Sequence, residues 1–235
     1  MIDDAGIIEA LRKLPSAACL DVLDGLGYTN AQMRGVTSLL PGQKLAGRAI
    51  TMRFVPSRPD LREQVIGGTE SAEYRAMEIC GPGDVLVMDA MRSASPSAAG
   101  DIKLWRLKQR GAAGVVTDGG VRDLAMLRTY GIGVFAAQET NMTMPSHMLP
   151  CDVQVAIQCG GVLVMPGDYI TADDGGAVVV PHRLAAGVIR KALEYEALEG
   201  AVKRQLERED VSPGKYYPLN DAARELLKRE REAGE

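Results

Sequence analysis

Apolar residues recur along the chain at two spacings, one helical and one strand-like, and the two alternate several times. Apolar residues at helical spacing predict helices over residues 5–13, 16–26, 62–79, 101–109, 183–209 and 220–232. Short apolar or alternating runs predict strands over residues 47–55, 85–88, 114–117, 132–136, 153–157, 161–165, 168–172 and 176–180. This order of elements, with a strand-rich second half, predicts an α/β or α+β fold.

Single residues mark several boundaries of these elements. Pro15 separates the first two helices, and Ser16 is a suitable N-cap for the second. Gly67-Gly68 interrupts the third helix and weakens the prediction for its first half. Residues 138–148 show no clear period and are predicted to form a loop.

Acidic residues at predicted turns are the first candidates for metal ligands, and each has a simpler explanation. Asp84 and Asp168 follow Pro-Gly dipeptides and are typical turn residues. Asp173 and Asp174 precede two glycines, and a hairpin-type turn uses these residue types. We therefore interpret all four as turn residues, and a metal site at the Asp173-Asp174 pair is the alternative.

The last part of the chain differs in composition from the rest. From residue 183 it is rich in Ala, Leu, Glu, Lys and Arg, which favours long helices. No other predicted element is an evident partner for their apolar stripe. We therefore expect a subunit contact, and such contacts usually build closed symmetric oligomers. The sequence thus predicts a domain over residues 1–182 and a helical arm over residues 183–235.

Composition and charge exclude several classes of protein. The chain has 235 residues, of which 46% are apolar and 25% charged, as in ordinary globular proteins. Its net charge of −4 argues against a nucleic-acid surface, which requires a basic patch. No apolar run approaches the roughly 20 residues of a membrane span, and the start does not resemble a signal peptide. The 4 cysteines lack metal-ligand spacing, and we expect a cytoplasmic protein.

The most informative polar residues lie between residues 100 and 123. Asp101 begins one predicted helix, and Arg122 and Asp123 stand at the start of another. Helix starts expose unpaired backbone N–H groups and attract anions. Two carboxylates and one guanidinium at such a place suit a divalent cation and a small anionic substrate.

Each of these residues also has an explanation without function. Asp is common at helix N-caps, and an Arg-Asp pair in a first turn often lies on the surface. Gly119-Gly120 changes the balance, because glycines permit positive φ and close approach of the backbone. Such a turn suits a loop that wraps a ligand, and we favour the functional interpretation.

The spacing of these residues resembles that of a known family. Asp101 is followed by 20 residues and then by Arg122-Asp123. This resembles the Asp-x20-Arg-Asp pattern of metal-dependent class II pyruvate aldolases, the 4-hydroxy-4-methyl-2-oxoglutarate aldolases, which are similar to the regulator of ribonuclease E activity A (RraA) and share its fold. Further blocks that resemble the family lie at residues 16–26, 40–49, 83–85 and 159–181. The resemblance covers roughly residues 10–185. It implies a layered β/β/α domain of the swivelling type, assembled as trimers or hexamers.

The resemblance also implies a mechanism for the predicted site. A 4-hydroxy-2-keto acid would be cleaved to pyruvate through an enolate, and oxaloacetate would lose CO₂ through the same enolate. Mg²⁺, Mn²⁺ or another divalent cation would bind Asp123, with Asp101 orienting a bound water. Arg122 would hold a carboxylate or enolate oxygen. The expected substrate-binding groups are the Arg122 side chain and the backbone N–H groups of Gly100, Asp101, Ile102 and Lys103.

By the same resemblance, a glutamate near the C-terminus reaches the active site of a neighbouring subunit. Glu199 is the residue we assign to this catalytic role, with Glu196 as the alternative. A solvated helix face also explains both residues. If Glu199 acts across subunits, the active site lies between them, and an isolated monomer is impaired.

The competing hypothesis is a non-catalytic regulator that binds a ribonuclease or another protein, as the regulator branch of the family does. Asp123 discriminates between the two hypotheses, because that regulator lacks an acidic residue after the arginine. A nucleotide cofactor is not expected, since no GxGxxG follows a strand and GxxxxGK[ST] is absent. We therefore expect a carbon–carbon lyase that acts on a small 2-keto acid.

Overall fold

The computed structural model describes residues 3–65 and 68–234. The helices in these residues are α1 (Asp4–Lys13), α2 (Ser16–Gly25), α3 (Pro59–Val65), α4 (Ala72–Ile79), α5 (Asp101–Gln109), α6 (Leu124–Leu127), α7 (Ala185–Leu206) and α8 (Asp221–Gly234). The strands are β1 (Thr37–Ser38), β2 (Leu45–Pro56), β3 (Asp84–Asp89), β4 (Ser97–Ala99), β5 (Gly114–Thr117), β6 (Gly120–Val121), β7 (Gly133–Ala136), β8 (Gln138–Glu139), β9 (Met148–Val153), β10 (Ile157–Cys159), β11 (Val162–Val164), β12 (Tyr169–Asp173) and β13 (Gly176–Val180). Among the described residues, no helix has the length and apolar character needed to cross a bilayer.

One mixed sheet forms the centre of the fold. Its strands follow the order β1-β7-β5-β3-β2-β12-β13, and β9 pairs with the second half of β2. The pairs within β2, β3, β5 and β7 are parallel, whereas β12 pairs antiparallel with both β2 and β13. The segment before β1 also bonds to β13, because Met33 N donates to Ala177 O and Val179 N donates to Ala31 O, both at 2.9 Å. The sheet therefore nearly closes into a barrel.

Both faces of this sheet are buried, as β3 illustrates. Val85 and Val87 belong to the apolar cluster inside the barrel, together with Phe135 of β7. Leu86 and Met88 belong to a second cluster on the outer face, which includes residues of α4 and α5. Parallel strands that are covered on both faces read as uninterrupted apolar runs. For this reason the short Val-rich segments predicted β3, β5 and β13 correctly. The mixed sheet with helices packed on it confirms the predicted α/β fold class.

The C-terminal helices pack on the rest of the chain. Val188 and Ile189 of α7 share a buried cluster with Leu11 of α1 and Leu23 of α2. The helix α8 then packs against the later part of α7. The expectation that the arm over residues 183–235 lacks a partner within the chain was therefore wrong. An apolar stripe shows that a helix covers something, but its spacing does not show which surface.

Two other predicted elements differ from the structure. The helix predicted over residues 62–79 is divided into α3 and α4, and the predicted interruption at Gly67-Gly68 marks the division, although Gly67 lies outside the described residues. The strand predicted over residues 153–157 was wrong, because Gln154 has a φ of 56° and ends β9. The short strands β4 and β8 were not predicted, since two or three residues are too few to show a period.

Asp173 determines how α2 begins. Ser16 was predicted as the N-cap, but Pro15 occupies that position. The Asp173 carboxylate instead accepts hydrogen bonds from Ser16 N at 2.8 Å, from Ser16 Oγ at 2.7 Å and from Gly175 N at 3.0 Å. Burial alone would raise the pKa of Asp173, but the hydrogen bonds from Ser16 and Gly175 hold it below its usual value. Asp173 is thus a turn residue, as predicted, and also the cap of a helix that is distant in sequence.

Replacing Asp173 should therefore destabilise the fold. Loss of a helix cap costs about 1 kcal/mol, and Asp173→Ala should lower the melting temperature by about 2–4 °C in a chain of this size. A carboxyl group whose pKa is lowered by folding stabilises the fold above its unfolded-state pKa, and this contribution is lost as the pH falls through the folded-state pKa. The difference between variant and wild type should therefore shrink below about pH 4.

Thermal unfolding followed by circular dichroism, at neutral and at acidic pH, measures both effects. Asp21→Ala is the matched control, because it removes an exposed carboxylate from the same helix. Equal losses in the two variants at neutral pH would contradict a capping role for Asp173.

Candidate functional site

Two loops leave the same end of a small parallel sheet. Its strands β4, β6 and β8 pair in that order, and both pairings are parallel. The strand β4 continues through Gly100 into α5, and β6 continues through Arg122 and Asp123 into α6. Arg122 N donates to Ala99 O at 3.0 Å, so the two loops run side by side. The carboxyl ends of neighbouring parallel strands meet at one edge, where α/β proteins commonly bind ligands. The two halves of the sequence motif are joined for this reason.

Asp123 is turned toward the start of α5. Its backbone is left-handed, with φ 62° and ψ 34°, and its side chain makes no capping bond to α6. Its Oδ2 instead accepts a hydrogen bond from Asp101 N at 3.1 Å. Gly100 provides the space, because a Cβ there would lie 2.8 Å from Asp123 Oδ2. A left-handed residue other than glycine costs roughly 1–3 kcal/mol, and Asp tolerates this conformation better than most residues.

The glycine pair before this loop allows close packing. A Cβ on Gly119 would lie 2.6 Å from Ala90 Cβ, and a Cβ on Gly120 would lie 2.4 Å from Thr140 Cγ2. The predicted close approach of the backbone is therefore confirmed. The positive φ that glycine permits is found instead at Asp123.

Asp101 is held by an aromatic residue that the sequence motif does not contain. The Tyr130 hydroxyl donates a hydrogen bond to Asp101 Oδ1, and this bond raises the pKa of Tyr130 to about 12. The Tyr130 ring packs edge-on against Trp105, with centroids 5.1 Å apart. Lys108 Nζ lies over both rings, 4.7 Å from the Trp105 centroid and 5.4 Å from the Tyr130 centroid. Sequence reasoning missed Tyr130, because no local pattern shows which carboxylate a distant phenol contacts.

Arg122 has an unsatisfied donor. Its Nε is buried and has no hydrogen-bond partner among the described residues. Buried polar groups are nearly always paired, and an unpaired one calls for an explanation. A ligand oxygen in the adjoining cleft would supply the missing acceptor.

The cleft beside these residues has a volume of about 570 Å³. Both halves of the motif line it, from Gly100 to Lys103 on one side and Arg122 with Asp123 on the other. The Lys103 ammonium forms an ion pair with Glu73 of α4, and the Glu73 side chain is only 4% exposed. The remaining wall consists mainly of residues without charge, including Tyr74, Met126, Thr143, Met144 and Pro145.

The donor set of this cleft suits a hard divalent cation. The described residues contain no group of three or more His, Cys, Asp or Glu side chains arranged to hold a metal. The carboxylates of Asp101 and Asp123 line the cleft beside Arg122, and Asp123 Oδ2 accepts a hydrogen bond from Asp101 N. Mg²⁺ is commonly bound by only one or two carboxylates and keeps several waters. These two residues fit that mode of binding.

Asp118 holds the framework next to the site. Its Oδ1 accepts from Ala90 N at 2.7 Å, and its Oδ2 accepts from Gln158 Nε2 at 2.8 Å and from Gly160 N at 3.1 Å. Gln158 Nε2 also donates to Asp89, whose pKa is raised by burial. Through these three hydrogen bonds, the Asp118 carboxylate connects the ends of β3 and β5 to the β10–β11 hairpin. Asp118 directly precedes the Gly119-Gly120 pair, and its position directly after a buried strand was a signal that sequence reasoning did not use.

Glu199 does not line this cleft in the described chain. It lies on α7, where it forms an ion pair with Lys203 at 3.6 Å. It lines a separate groove together with Tyr195 and Tyr217. Glu196 lies on the same helix. Burial, then the charge of Asp173 and then that of Glu196 raise the pKa of the Cys19 thiol on α2.

A larger cavity of about 720 Å³ lies away from the motif, beside Tyr28, Leu163 and His182. Its carboxylate, Asp168, already accepts hydrogen bonds from the backbone N–H groups of Met165 and His182, both at 3.0 Å. Asp168 is therefore a turn residue, as predicted. The cavity lacks the paired carboxylates of the smaller cleft, and we assign the candidate site to the cleft.

Comparison with known proteins identifies relatives of the whole domain. A family model described as RraA-like, Aldolase/RraA, matches residues 16–179. A protein of Halalkalibacterium halodurans named "Putative 4-hydroxy-4-methyl-2-oxoglutarate aldolase" is 30% identical over 199 residues, which cover 85% of this chain and 88% of that protein. The sequence is therefore similar to the family whose motif it resembles.

Solved structures give the same family. Streptomyces coelicolor RraAS2, described as an unusual member of the RNase ES inhibitor RraA protein family, is 33% identical with a TM-score of 0.79, covering 86% of this chain and 98% of that chain. The RNA-processing inhibitor RraA from Thermus thermophilis is 28% identical with a TM-score of 0.52, covering 68% of this chain and 90% of that chain. These similarities confirm the predicted fold, and the relatives include both a protein named as an aldolase and proteins described as inhibitors.

The two ion pairs between α4 and α5 should differ in their effect on stability. Glu73→Ala leaves the half-buried Lys103 ammonium without its partner and should lower the free energy of unfolding by about 2 kcal/mol. Glu78→Ala removes the carboxylate that pairs with Arg106 at 2.7 Å on the exposed side of the same helices, and it should cost much less than Glu73→Ala, because solvent screens an exposed pair. Urea unfolding of both variants measures the difference. Equal costs would show that the Glu73 pair is as solvated as the Glu78 pair.

Proposed function

The chain belongs to the RraA-like family, and from this premise we propose that it is a divalent-metal-dependent lyase that cleaves a 4-hydroxy-2-keto acid to pyruvate and also decarboxylates oxaloacetate. The observation that carries the proposal is the buried Nε of Arg122, which lacks an acceptor among the described residues and stands next to Asp123. An unpaired buried donor costs free energy. A carboxylate or enolate oxygen of the substrate would remove that cost.

Asp123 is the residue we assign to hold the cation, with Asp101 beside it. Mg²⁺ or Mn²⁺ suits these oxygen ligands, and when bound the cation supplies a Lewis acid that polarises the keto group of the substrate. The first-turn N–H groups of Ile102 and Lys103 have no acceptor within α5. We assign them, together with Arg122, to the substrate carboxylate.

The proposed cleavage breaks one carbon–carbon bond and moves one proton. A base removes the proton of the 4-hydroxyl group, and the C3–C4 bond breaks as the departing fragment becomes a carbonyl compound. The electron pair of that bond forms the enolate of pyruvate, which then takes a proton at C3. Oxaloacetate gives the same enolate by loss of CO₂. Arg122 stabilises the charge on the enolate oxygen, which is greatest near the transition state.

Asp101 is the residue we assign to the proton transfers. Tyr130 donates to one of its carboxylate oxygens, which leaves the other oxygen for the substrate. The phenol is protonated at neutral pH, as an ordinary tyrosine is, and its hydrogen bond to Asp101 raises its pKa further, to about 12. Tyr130 is therefore a positioning residue, which orients Asp101 without touching the substrate.

A second candidate function is that of a non-catalytic regulator that binds a ribonuclease or another protein. The 33% identity with RraAS2 favours it, because that protein is described as a member of an inhibitor family. Asp123 favours the enzyme. A protein-binding surface does not require a carboxylate held at a left-handed position over the start of a helix.

We further propose that the protein works as a homotrimer or hexamer, in which Glu199 of one copy reaches the cleft of another. Within one chain, Glu199 lies in a groove separate from the cleft, so only a second copy would bring it there. Tyr195 and Tyr217 in that groove are 41% and 55% exposed. Such aromatic surface is typical of subunit contacts.

The protein should release pyruvate from oxaloacetate in the presence of Mg²⁺, and excess EDTA should reduce the rate to that of the uncatalysed reaction. The physical reason is that the enolate charge would lose its Lewis acid. A coupled assay with lactate dehydrogenase measures pyruvate, with Mg²⁺ alone as the background and Mg²⁺ in excess of EDTA as the recovery control. Equal rates with and without chelator would remove the metal from the proposal. No turnover of any tested 2-keto acid would favour the regulator.

Arg122→Ala and Asp123→Ala should each lower kcat by about 10²–10³, which is the usual effect of removing one group that stabilises transition-state charge. Both residues lie at the surface of the cleft, and both variants should keep the circular dichroism spectrum of the wild type. Arg128→Ala is the matched control, since it removes an exposed arginine from the same segment. Near-normal turnover in either of the first two variants would place the chemistry elsewhere.

A further inference from the structure

One face of α5 carries three side chains that meet a tyrosine from outside the helix. Asp101, Trp105 and Lys108 follow one another at intervals of four and three residues, so their side chains project from the same side. Tyr130 belongs to the segment between α6 and β7. Its side chain therefore connects the two halves of the sequence motif, of which one begins α5 and the other directly precedes α6.

The Tyr130 side chain is held at its hydroxyl and at its ring. The hydroxyl donates to Asp101 Oδ1 and orients that carboxylate. The ring lies edge-on against Trp105, and the Lys108 ammonium lies over both rings, 4.7 Å from one centroid and 5.4 Å from the other. A cation over an aromatic face is attracted by the ring quadrupole. Rotation of the Tyr130 ring away from this position would lose that attraction.

The position of Lys108 is not explained by the helix alone. A lysine in the last turn is favoured by the macrodipole, but Arg106 occupies the same turn and has the same benefit. Arg106 pairs with Glu78, and Lys103 pairs with Glu73. Lys108 takes part in neither of these ion pairs of α5, and its ammonium contacts the two rings instead.

This cluster stands behind the cleft. In the described chain, the lining of the cleft includes Asp101 but not Trp105, Lys108 or Tyr130. An effect of Lys108 on a ligand in the cleft must therefore pass through the Tyr130 hydroxyl and the Asp101 carboxylate.

We propose that Lys108 is a positioning residue for the proton transfers that are assigned to Asp101. The inference rests on the proposed function and identifies a residue that supports its site from outside the cleft. Lys108 holds the Tyr130 ring, and the Tyr130 hydroxyl holds one carboxylate oxygen of Asp101. The other oxygen is thereby kept directed at the cleft. Proton transfer requires hydrogen-bond geometry, and a small displacement of the acid or base lowers the rate.

Lys108→Met removes the ammonium and keeps an unbranched apolar side chain against the rings. With 4-hydroxy-4-methyl-2-oxoglutarate as substrate, kcat for pyruvate release should fall about two- to fivefold, the rate equivalent of a partly exposed cation–π contact. KM should stay the same, because Lys108 does not line the cleft. Lys108→Arg should restore kcat, since a guanidinium also stacks on aromatic faces. An unchanged kcat in Lys108→Met, or an equal fall in Lys108→Arg, would overturn the inference.

Tyr130→Phe distinguishes positioning from a purely structural role. It keeps a ring beneath the ammonium and removes only the hydroxyl that contacts Asp101. In this background Lys108→Met should lower kcat no further, because the connection to Asp101 is already broken. It should still lower the melting temperature as much as it does in the wild type, because the contact between cation and ring is retained. Falls in kcat that add in the double variant would overturn the inference.

Arg106→Met is the matched control, because it removes a cation from the same turn that pairs with a carboxylate and not with the rings. Its kcat should equal that of the wild type. A loss as large as that of Lys108→Met would show that the charge at the helix end is responsible, which would overturn the assignment to Lys108.

Binding of Mg²⁺ separates failure of the inference from failure of the proposed function. Isothermal titration calorimetry with Mg²⁺ alone does not depend on turnover. A Kd raised about two- to fivefold in Lys108→Met and restored in Lys108→Arg supports the positioning of Asp101 even if no 2-keto acid is cleaved, and then only the lyase fails. An unchanged Kd together with an unchanged kcat in Lys108→Met overturns the inference and leaves the lyase intact. A wild type that neither binds Mg²⁺ nor releases pyruvate overturns both.

Discussion

The parallel pairing of β4 with β6 is the constraint on which the site depends. It brings the start of α5 and the Arg122-Asp123 segment to one edge, where the hydrogen bond from Asp101 N to Asp123 Oδ2 joins them. This contact requires a glycine at position 100 and a left-handed backbone at Asp123. A strained backbone conformation such as that of Asp123 persists only where contacts with the surrounding structure hold the residue in place. The main sheet and its two apolar clusters supply that rigidity.

The carboxylates of this chain divide into those that organise the backbone and those that face the cleft. Asp118, Asp168 and Asp173 accept several backbone N–H bonds each or cap a distant helix, and their oxygens are occupied. Asp101 and Asp123 use one oxygen for a protein contact and present the rest of the carboxylate to the cleft. Occupancy of the oxygens, and not the density of acidic residues, separates the structural carboxylates of this protein from those of the candidate site.

The same fold serves relatives with different descriptions: one is named "Putative 4-hydroxy-4-methyl-2-oxoglutarate aldolase", one is described as a member of an inhibitor family and one as an RNA-processing inhibitor. Function therefore depends on the side chains at the cleft. Arg122 and Asp123, which we assign to the chemistry, distinguish the proposed lyase from a binding surface. The Glu73–Lys103 ion pair lines the same cleft and is largely buried.

The sequence by itself determined the α/β class, most strands of the main sheet and α5, because buried parallel strands and amphipathic helices carry their period locally. It also identified Asp101, Arg122 and Asp123 as one constellation, since their spacing is readable without coordinates. Only the tertiary structure decided that Tyr130 holds Asp101, that Asp173 caps α2, that Glu73 neutralises Lys103 and that α7 covers the domain. These contacts join residues far apart in sequence. Hydrogen-bonding capacity and helix amphipathicity show that a partner exists, but packing alone selects which one.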